Sequence, residues 1–228
     1  MNDKAAHTHA EGHTHAILRW SDDSAHDIDE TTRYPLMTEA IRQILVEKGI
    51  ISADAVRRLI EQMDARSEVT GGKIVARAWV DSAFKERLLA DAKEAIAALG
   101  LPEVDATHLI VVENTETVHN VVVCTLCSCY PRIILGMPPE WYKSKAYRSR
   151  TVIEPRAVLK EFGTELADNV TVRVHDSNAD MRYLVLPMRP TGTEGWSEDA
   201  LAQIVTRDCM VGVTVPRVPA QARVDGAA

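Results

Sequence analysis

The stretch VCTLCSCY, Val123 to Tyr130, carries three of the chain's four cysteines, Cys124, Cys127 and Cys129, within six residues, while Cys209 stands far away. Sulfur ligands at that density select soft or borderline metals. The spacing is C-x-x-C-x-C, which is neither two repeated C-x-x-C knuckles nor the C-x-x-C-H of haem attachment. Cys127 and Cys129 flank one residue, Ser128, so an ion held by both sulfurs would also press against the peptide nitrogens between them. A metal acidic enough to strip those amide protons would be held by thiolates and backbone nitrogens together, in one compact claw.

Simpler readings of the same residues exist. A structural zinc site needs four ligands, and here the fourth would have to be Cys209 or a histidine such as His175. Inert buried thiols are a second option, because free cysteine is among the most buried residue types. An iron–sulfur cluster fits less well, since it usually takes four cysteines. Spacing by itself therefore points to a metal and leaves its identity open.

Composition narrows the class. A chain of 228 residues, 46% hydrophobic, can bury a core as one or two domains. No apolar run approaches the ~20 residues of a membrane span, and no signal-peptide core is visible, so no membrane association is expected. Three crowded cysteines do not form a disulfide framework, which predicts a cytoplasmic protein. The net charge of −7 and the lack of a basic cluster argue against a nucleic-acid partner.

Along the chain, residues 1–32 are polar and carry His7, His9, His13 and His15, a composition that predicts a disordered His-rich tail with some capacity for divalent metal. From Tyr34 the pattern turns helical: Leu36, Ile41, Ile44 and Leu45 recur at helical spacing, with Gly49 as a stop. Ser52 caps a second expected helix. Gly71 and Gly72 read as a break, and Asp81 and Ser82 as the cap of one long helix, FKERLLADAKEAIAALG. Residues 33–105 thus read as a helical arm lacking partners of its own, suited to packing on another subunit.

Residues 106–216 read as an α+β domain, and 217–228 as a flexible tail. Strands are expected over His108 to Val112 and Val118 to Val123, the second delivering the cysteine loop directly. Glu154 to Phe162 predicts a helix with Pro155 in its first turn and Gly163 as its stop. Val170 to Val174 and Arg182 to Leu186 predict strands joined by the turn DSNAD. Ser197 caps a last expected helix reaching about Arg207, and Met210 to Val215 reads as a final strand.

VCTLCSCY resembles the metal-claw motif of the nitrile hydratase alpha subunit, and Thr125 and Tyr130 match its cobalt form. VVENTETVHNVVV, PPEWYKSKAYRSR, EPRAVLKEFG, RYLVLPMRPTGTEGWSE and IVTRDCMVGV also resemble that family, from roughly Arg33 to Val215. The resemblance implies a helical arm wrapped on a beta subunit, followed by a layered α/β/β/α domain carrying the metal loop. It implies low-spin Co(III), or less commonly Fe(III), held by the sulfurs of Cys124, Cys127 and Cys129 and the backbone nitrogens of Ser128 and Cys129. Cys127 would be oxidised to sulfinic acid and Cys129 to sulfenic acid, low rungs of the oxidation ladder.

The implied reaction hydrates a small nitrile to an amide, with catalytic roles for Cys129, Ser128 and Arg182. Cys129 would act as nucleophile or base, and Arg182 would bond to the beta subunit near the site. An activator or metallochaperone for cobalt loading is also implied. Tyr130, Trp141 and Tyr142 read mainly as packing residues, and His119 and His175 as structural histidines.

Two departures from the family stand out: Arg132 where nitrile hydratases often carry Trp, and Val104-Asp105-Ala106 where they often carry a Gln-Gly pair. Arg132 resembles the cobalt-binding subunit of thiocyanate hydrolase, which shares VCTLCSCY. The alternatives are therefore that relative and a zinc-stabilised interaction module.

Overall fold

The computed structural model describes residues 7–8, 14–15, 30–101, 106 and 108–219. Two short strands, β1 (His7–Thr8) and β2 (Thr14–His15), pair antiparallel. The rest of the expected disordered tail, residues 220–228 of the C-terminal tail, and Asp105 lie outside the described residues. The chain divides into two compact units, Met1–Val56 and Arg57–Ala228.

In the first unit α1 (Glu30–Glu47) ends at Gly49, whose φ of 67° is the left-handed value a helix stop uses. Tyr34, Leu36, Ile41 and Ile44 on α1 are exposed. Ser52 Oγ accepts from the Ala55 amide at 3.1 Å and caps α2 (Ala53–Asp64), as expected.

In the larger unit Gly71 and Gly72 do not break the chain; both lie inside α3 (Val69–Val80), and both are buried. Glycine reads as a breaker when only local propensity counts, but here the missing Cβ admits a neighbour. A Cβ at Gly72 would stand 2.9 Å from the carbonyl oxygen of Ala202 in α10 (Glu198–Gln203). The expected long helix is two, α4 (Ser82–Ala90) and α5 (Ala92–Ala97). Asp91 is extended between them and accepts from the Glu94 amide at 3.0 Å, so its side chain starts a new helix. These helices have partners in their own chain: α4 and α5 pack on β3, and α3 on α10.

Four strands form two parallel pairs. β3 (His108–Glu113) pairs with β6 (Met181–Leu186), and β4 (Val118–Val123) with β5 (Thr171–Asp176). The turn between β5 and β6 is present, with Asn178 Oδ1 accepting from the amides of Asp180 and Met181. The strands on either side of it belong to different pairs. Between β4 and β5 run α6 (Arg132–Leu135), α7 (Glu140–Lys143), α8 (Lys145–Ile153) and α9 (Pro155–Glu161). A parallel crossover needs such a length of chain. Pro155 at the first turn and Gly163 at φ 77° bound α9 as expected.

The expected final strand is instead α11 (Arg207–Val211) followed by irregular chain, and the preceding helix stops at Gln203. Thr206 Oγ1 accepts from the Cys209 amide, and Gly212 at φ 89° closes the turn. Two local caps outweigh the β-branched composition of that segment. The core joins Val121, Val122 and Val123 of β4 to Leu184, Val185 and Leu186 of β6, Met210 of α11 and Tyr142 of α7. It includes Cys124.

Candidate metal centre

β4 ends at Val123, and Cys124 follows it fully buried. The loop then turns back so that the Sγ atoms of Cys124, Cys127 and Cys129 all lie within 4.8 Å of one another. Cys124 and Cys127 sulfurs are 3.4 Å apart, and those of Cys127 and Cys129 3.1 Å. The Cys127 amide donates to Cys124 Sγ at 3.2 Å. The backbone amides of Ser128 and Cys129 also favour the Cys127 thiolate. Those two nitrogens belong to the peptide links between Cys127 and Cys129, so the loop offers a mixed thiolate-and-amide donor set. The residues present fit a soft or borderline ion held in that mixed set.

Thr125, Cys127 and Cys129 of the cysteine loop are tied to three different elements. Thr125 donates to the Asp176 carboxylate at the end of β5, through its amide at 2.9 Å and its hydroxyl at 2.6 Å. Arg148 of α8 donates to the Cys127 carbonyl at 3.3 Å, and Tyr142 of α7 to the Cys129 carbonyl at 2.9 Å. Tyr147 donates to Val122 O at 2.7 Å and anchors the strand that delivers the loop. The rings of Trp141, Tyr142, Tyr147 and Phe162 pack edge-on or tilted behind it.

The crowded sulfurs do not ionise alike. A hydrogen bond from Cys129 favours the Cys127 thiolate and lowers its pKa against the cost of burial. Burial first, then the hydrogen bond to Cys127, pushes the Cys129 thiol up to about 12, with the Arg182 charge pulling the other way. Arg182 therefore acts on the cluster through its field. Its guanidinium is held by the carbonyls of Asn178 and Ala179, and its Nε is buried without a partner.

Ser128 is half-buried in the loop. Tyr130 is buried, packs edge-on against Tyr142 at 5.1 Å, and leaves its hydroxyl unpartnered. His119 is buried, with Nε2 2.7 Å from the Gly212 carbonyl and Nδ1 3.4 Å from Asn114 Nδ2. His175 Nε2 lies 2.8 Å from Asn120 Oδ1. Each spends a ring nitrogen on a structural hydrogen bond, and neither groups with the cysteines.

The fourth zinc ligand expected of Cys209 or His175 is not there: among the described residues only Cys124, Cys127 and Cys129 group as side-chain ligands. Cys209 is buried on α11 beside the hydroxyls of Thr206 and Thr214, because the caps that form α11 carry it away. Sequence reading missed Asp176 and Arg148. Neither carries a local signal, since Asp176 lies 51 residues from the loop it holds.

Comparison with known proteins follows the same lines. The family model for nitrile hydratase, alpha chain, matches residues 32–214. The chain is 51% identical over 187 residues to the low-molecular weight cobalt-containing nitrile hydratase subunit alpha of Rhodococcus rhodochrous, covering 81% of this chain and 89% of that one. It is 43% identical over 201 residues to thiocyanate hydrolase subunit gamma of Thiobacillus thioparus, covering 83% of each. A solved structure of a double mutant of the Fe-type nitrile hydratase from Comamonas testosteroni Ni1 superposes with a TM-score of 0.78 at 40% identity, over 84% of this chain and 96% of that one.

Proposed function

The chain belongs to the nitrile hydratase alpha-chain family, and on that premise we propose that it is the metal-bearing subunit of a nitrile hydratase acting with a beta subunit. The observation that carries this reading is the convergence of three cysteine sulfurs within 4.8 Å of one another just after β4. Cys124, Cys127 and Cys129 would hold the ion through sulfur, and Ser128 and Cys129 through backbone nitrogen. Co(III) is the ion favoured over Fe(III), on the cobalt-containing relatives and on Thr125 and Tyr130. When bound, the ion supplies Lewis acidity that polarises a nitrile or acidifies a water.

The chain's own residues supply the rest. Cys127 as sulfinate and Cys129 as sulfenate would present acceptor oxygens at the loop surface, where arginines of a partner can pair with them. The Cys129 oxygen would attack the nitrile carbon or take the proton of the attacking water. One water is consumed and its two protons end on nitrogen. With Cys129 as base the water's oxygen becomes the amide oxygen. With Cys129 as nucleophile its own oxygen leaves with the amide as the S–O bond breaks, the water's oxygen restoring the sulfenate. Ser128 and Arg182 would orient this oxygen and the partner groups around it.

Exposed Leu36, Ile41 and Ile44 on α1 support an arm that packs on the beta subunit, and the domain that carries the loop is read as a layered α/β/β/α body. The claw's need for unpaired thiols supports a cytoplasmic site and a loading factor for cobalt. No described helix is long and apolar enough to cross a membrane.

A second reading, the metal-binding subunit of a thiocyanate hydrolase, is favoured by Arg132, which opens α6 just after the claw, and by the gamma-subunit relative. Metal analysis of the co-expressed complex, with the mass of the peptide spanning Cys124 to Cys129, tests the centre. Cobalt near one per chain with added oxygens on Cys127 and Cys129 supports it; zinc on unmodified cysteines overturns it. Assays on a nitrile and on thiocyanate then separate the two substrates.

A further inference from the structure

We propose that Asp176 is a positioning residue for the metal claw, fixing through Thr125 the direction in which the chain leaves β4. The inference rests on the metal-centre reading above and concerns what holds that centre in shape. Asp176 is the register partner of Val123, the last residue of β4, and the Ser177 amide closes the same ladder on Val123 O at 2.7 Å. The carboxylate therefore issues from a backbone already locked to the strand that carries Cys124.

Thr125 follows Cys124 directly and is exposed, so packing does not hold it. Two donors do, its amide and its hydroxyl, each on a different oxygen of Asp176. Such a paired, charge-assisted contact fixes rotation as well as distance. A carboxylate this close to a cluster of thiolates is unfavourable by charge alone. Its presence is accounted for by geometry: without it, the turn from Cys124 to Cys127 has no tie to β5, and the sulfurs lose their mutual placement. The contact also gives Thr125 a physical role, because valine at that position would keep the shape and lose the hydroxyl donor.

Outer-shell partners of metal ligands typically carry on the order of 10- to 100-fold in metal affinity. The test uses the complex co-expressed with its partner chain in cobalt medium, as wild type, Thr125→Ser, Thr125→Val and Asp176→Asn. Four quantities are read: cobalt per chain, the sulfur-to-cobalt absorption band, the rate of cobalt loss to a chelator, and the thermal midpoint.

Thr125→Val and Asp176→Asn are expected to lose cobalt roughly 10- to 100-fold faster, with a shifted band and a near-unchanged midpoint, while Thr125→Ser behaves as wild type. Wild-type band and release rate in both Thr125→Val and Asp176→Asn overturn the proposal, as does a lowered midpoint with the band intact. If Asp176→Asn fails to fold, Thr125→Val, a single hydroxyl on an exposed residue, decides by itself. A wild-type complex without cobalt or iron sinks the metal-centre reading, an outcome distinct from a loaded wild type whose variants do not differ.

Discussion

Gly212 and Asn120 touch through their backbones: a Cβ on Gly212 would stand 2.0 Å from the Asn120 carbonyl oxygen. The glycine also adopts φ 89°, which L side chains rarely enter. The contact seats the end of α11 on β4, four residues before the first cysteine of the claw. Gly212→Ala must therefore push β4 away and strain its own backbone. Equilibrium urea unfolding is expected to show a loss on the order of 4 kcal/mol, or no stable fold at all. A change under ~1 kcal/mol would mean that α11 can shift without disturbing β4.

The same glycine ties stability to pH through His119. Burial disfavours the imidazolium and lowers the pKa of His119 from the ordinary 6.5. Its Nε2–H donates to Gly212 O, which leaves Nδ1 to accept from Asn114, an arrangement that suits the neutral ring. The folded-state pKa lies below the unfolded one, so between the two the unfolded chain binds more protons. Stability should then be full above about pH 6.5 and fall as pH drops toward the lowered folded value. His175, also lowered by burial, adds in the same direction. His119→Gln should flatten the pH dependence of the urea midpoint between pH 7 and 5; an unchanged slope would sink the assignment.

Cys209 offers a control on the claw. It is buried on α11 against threonine hydroxyls and does not group with the other three cysteines. Cys209→Ser should cost about 1–2 kcal/mol of stability and leave the metal content of the complex unchanged, whereas Cys127→Ser should abolish it. Loss of metal in Cys209→Ser would revive a four-ligand zinc site.

Near the claw the surface is apolar in a way a free subunit rarely tolerates. Leu126 at the tip of the loop is 83% exposed, and Ile153 at the end of α8 is 81% exposed. They line one cleft with Thr125, Arg148 and Val152. If a beta subunit completes the site, Leu126→Asp or Ile153→Asp should weaken the heteromer at least about tenfold, read by size-exclusion chromatography or calorimetry. An intact heteromer in both variants would place the interface elsewhere.

What the sequence by itself determined is local. The cysteine cluster was legible because its three sulfurs come from six consecutive residues, so their grouping does not wait on the fold. The caps at Ser52 and Asp81, and the Pro155 to Gly163 bounds of α9, were legible because a cap is a contact across three or four residues. Tertiary structure decided the rest. Gly71 and Gly72 serve a close approach to α10 and α11 that only the packed chain reveals. Met210 to Val215 reads as a strand by composition, yet the caps at Thr206 and Gly212 start and end a helix over its first part, and that helix carries Cys209 away from the other three cysteines. Parallel pairing brings Asp176 beside Thr125 across 51 residues. The loop's sulfur donors are written in its own stretch of chain, but the side chains that bond to it, Asp176, Tyr142 and Arg148, are brought there only by long-range strand pairing and helix packing.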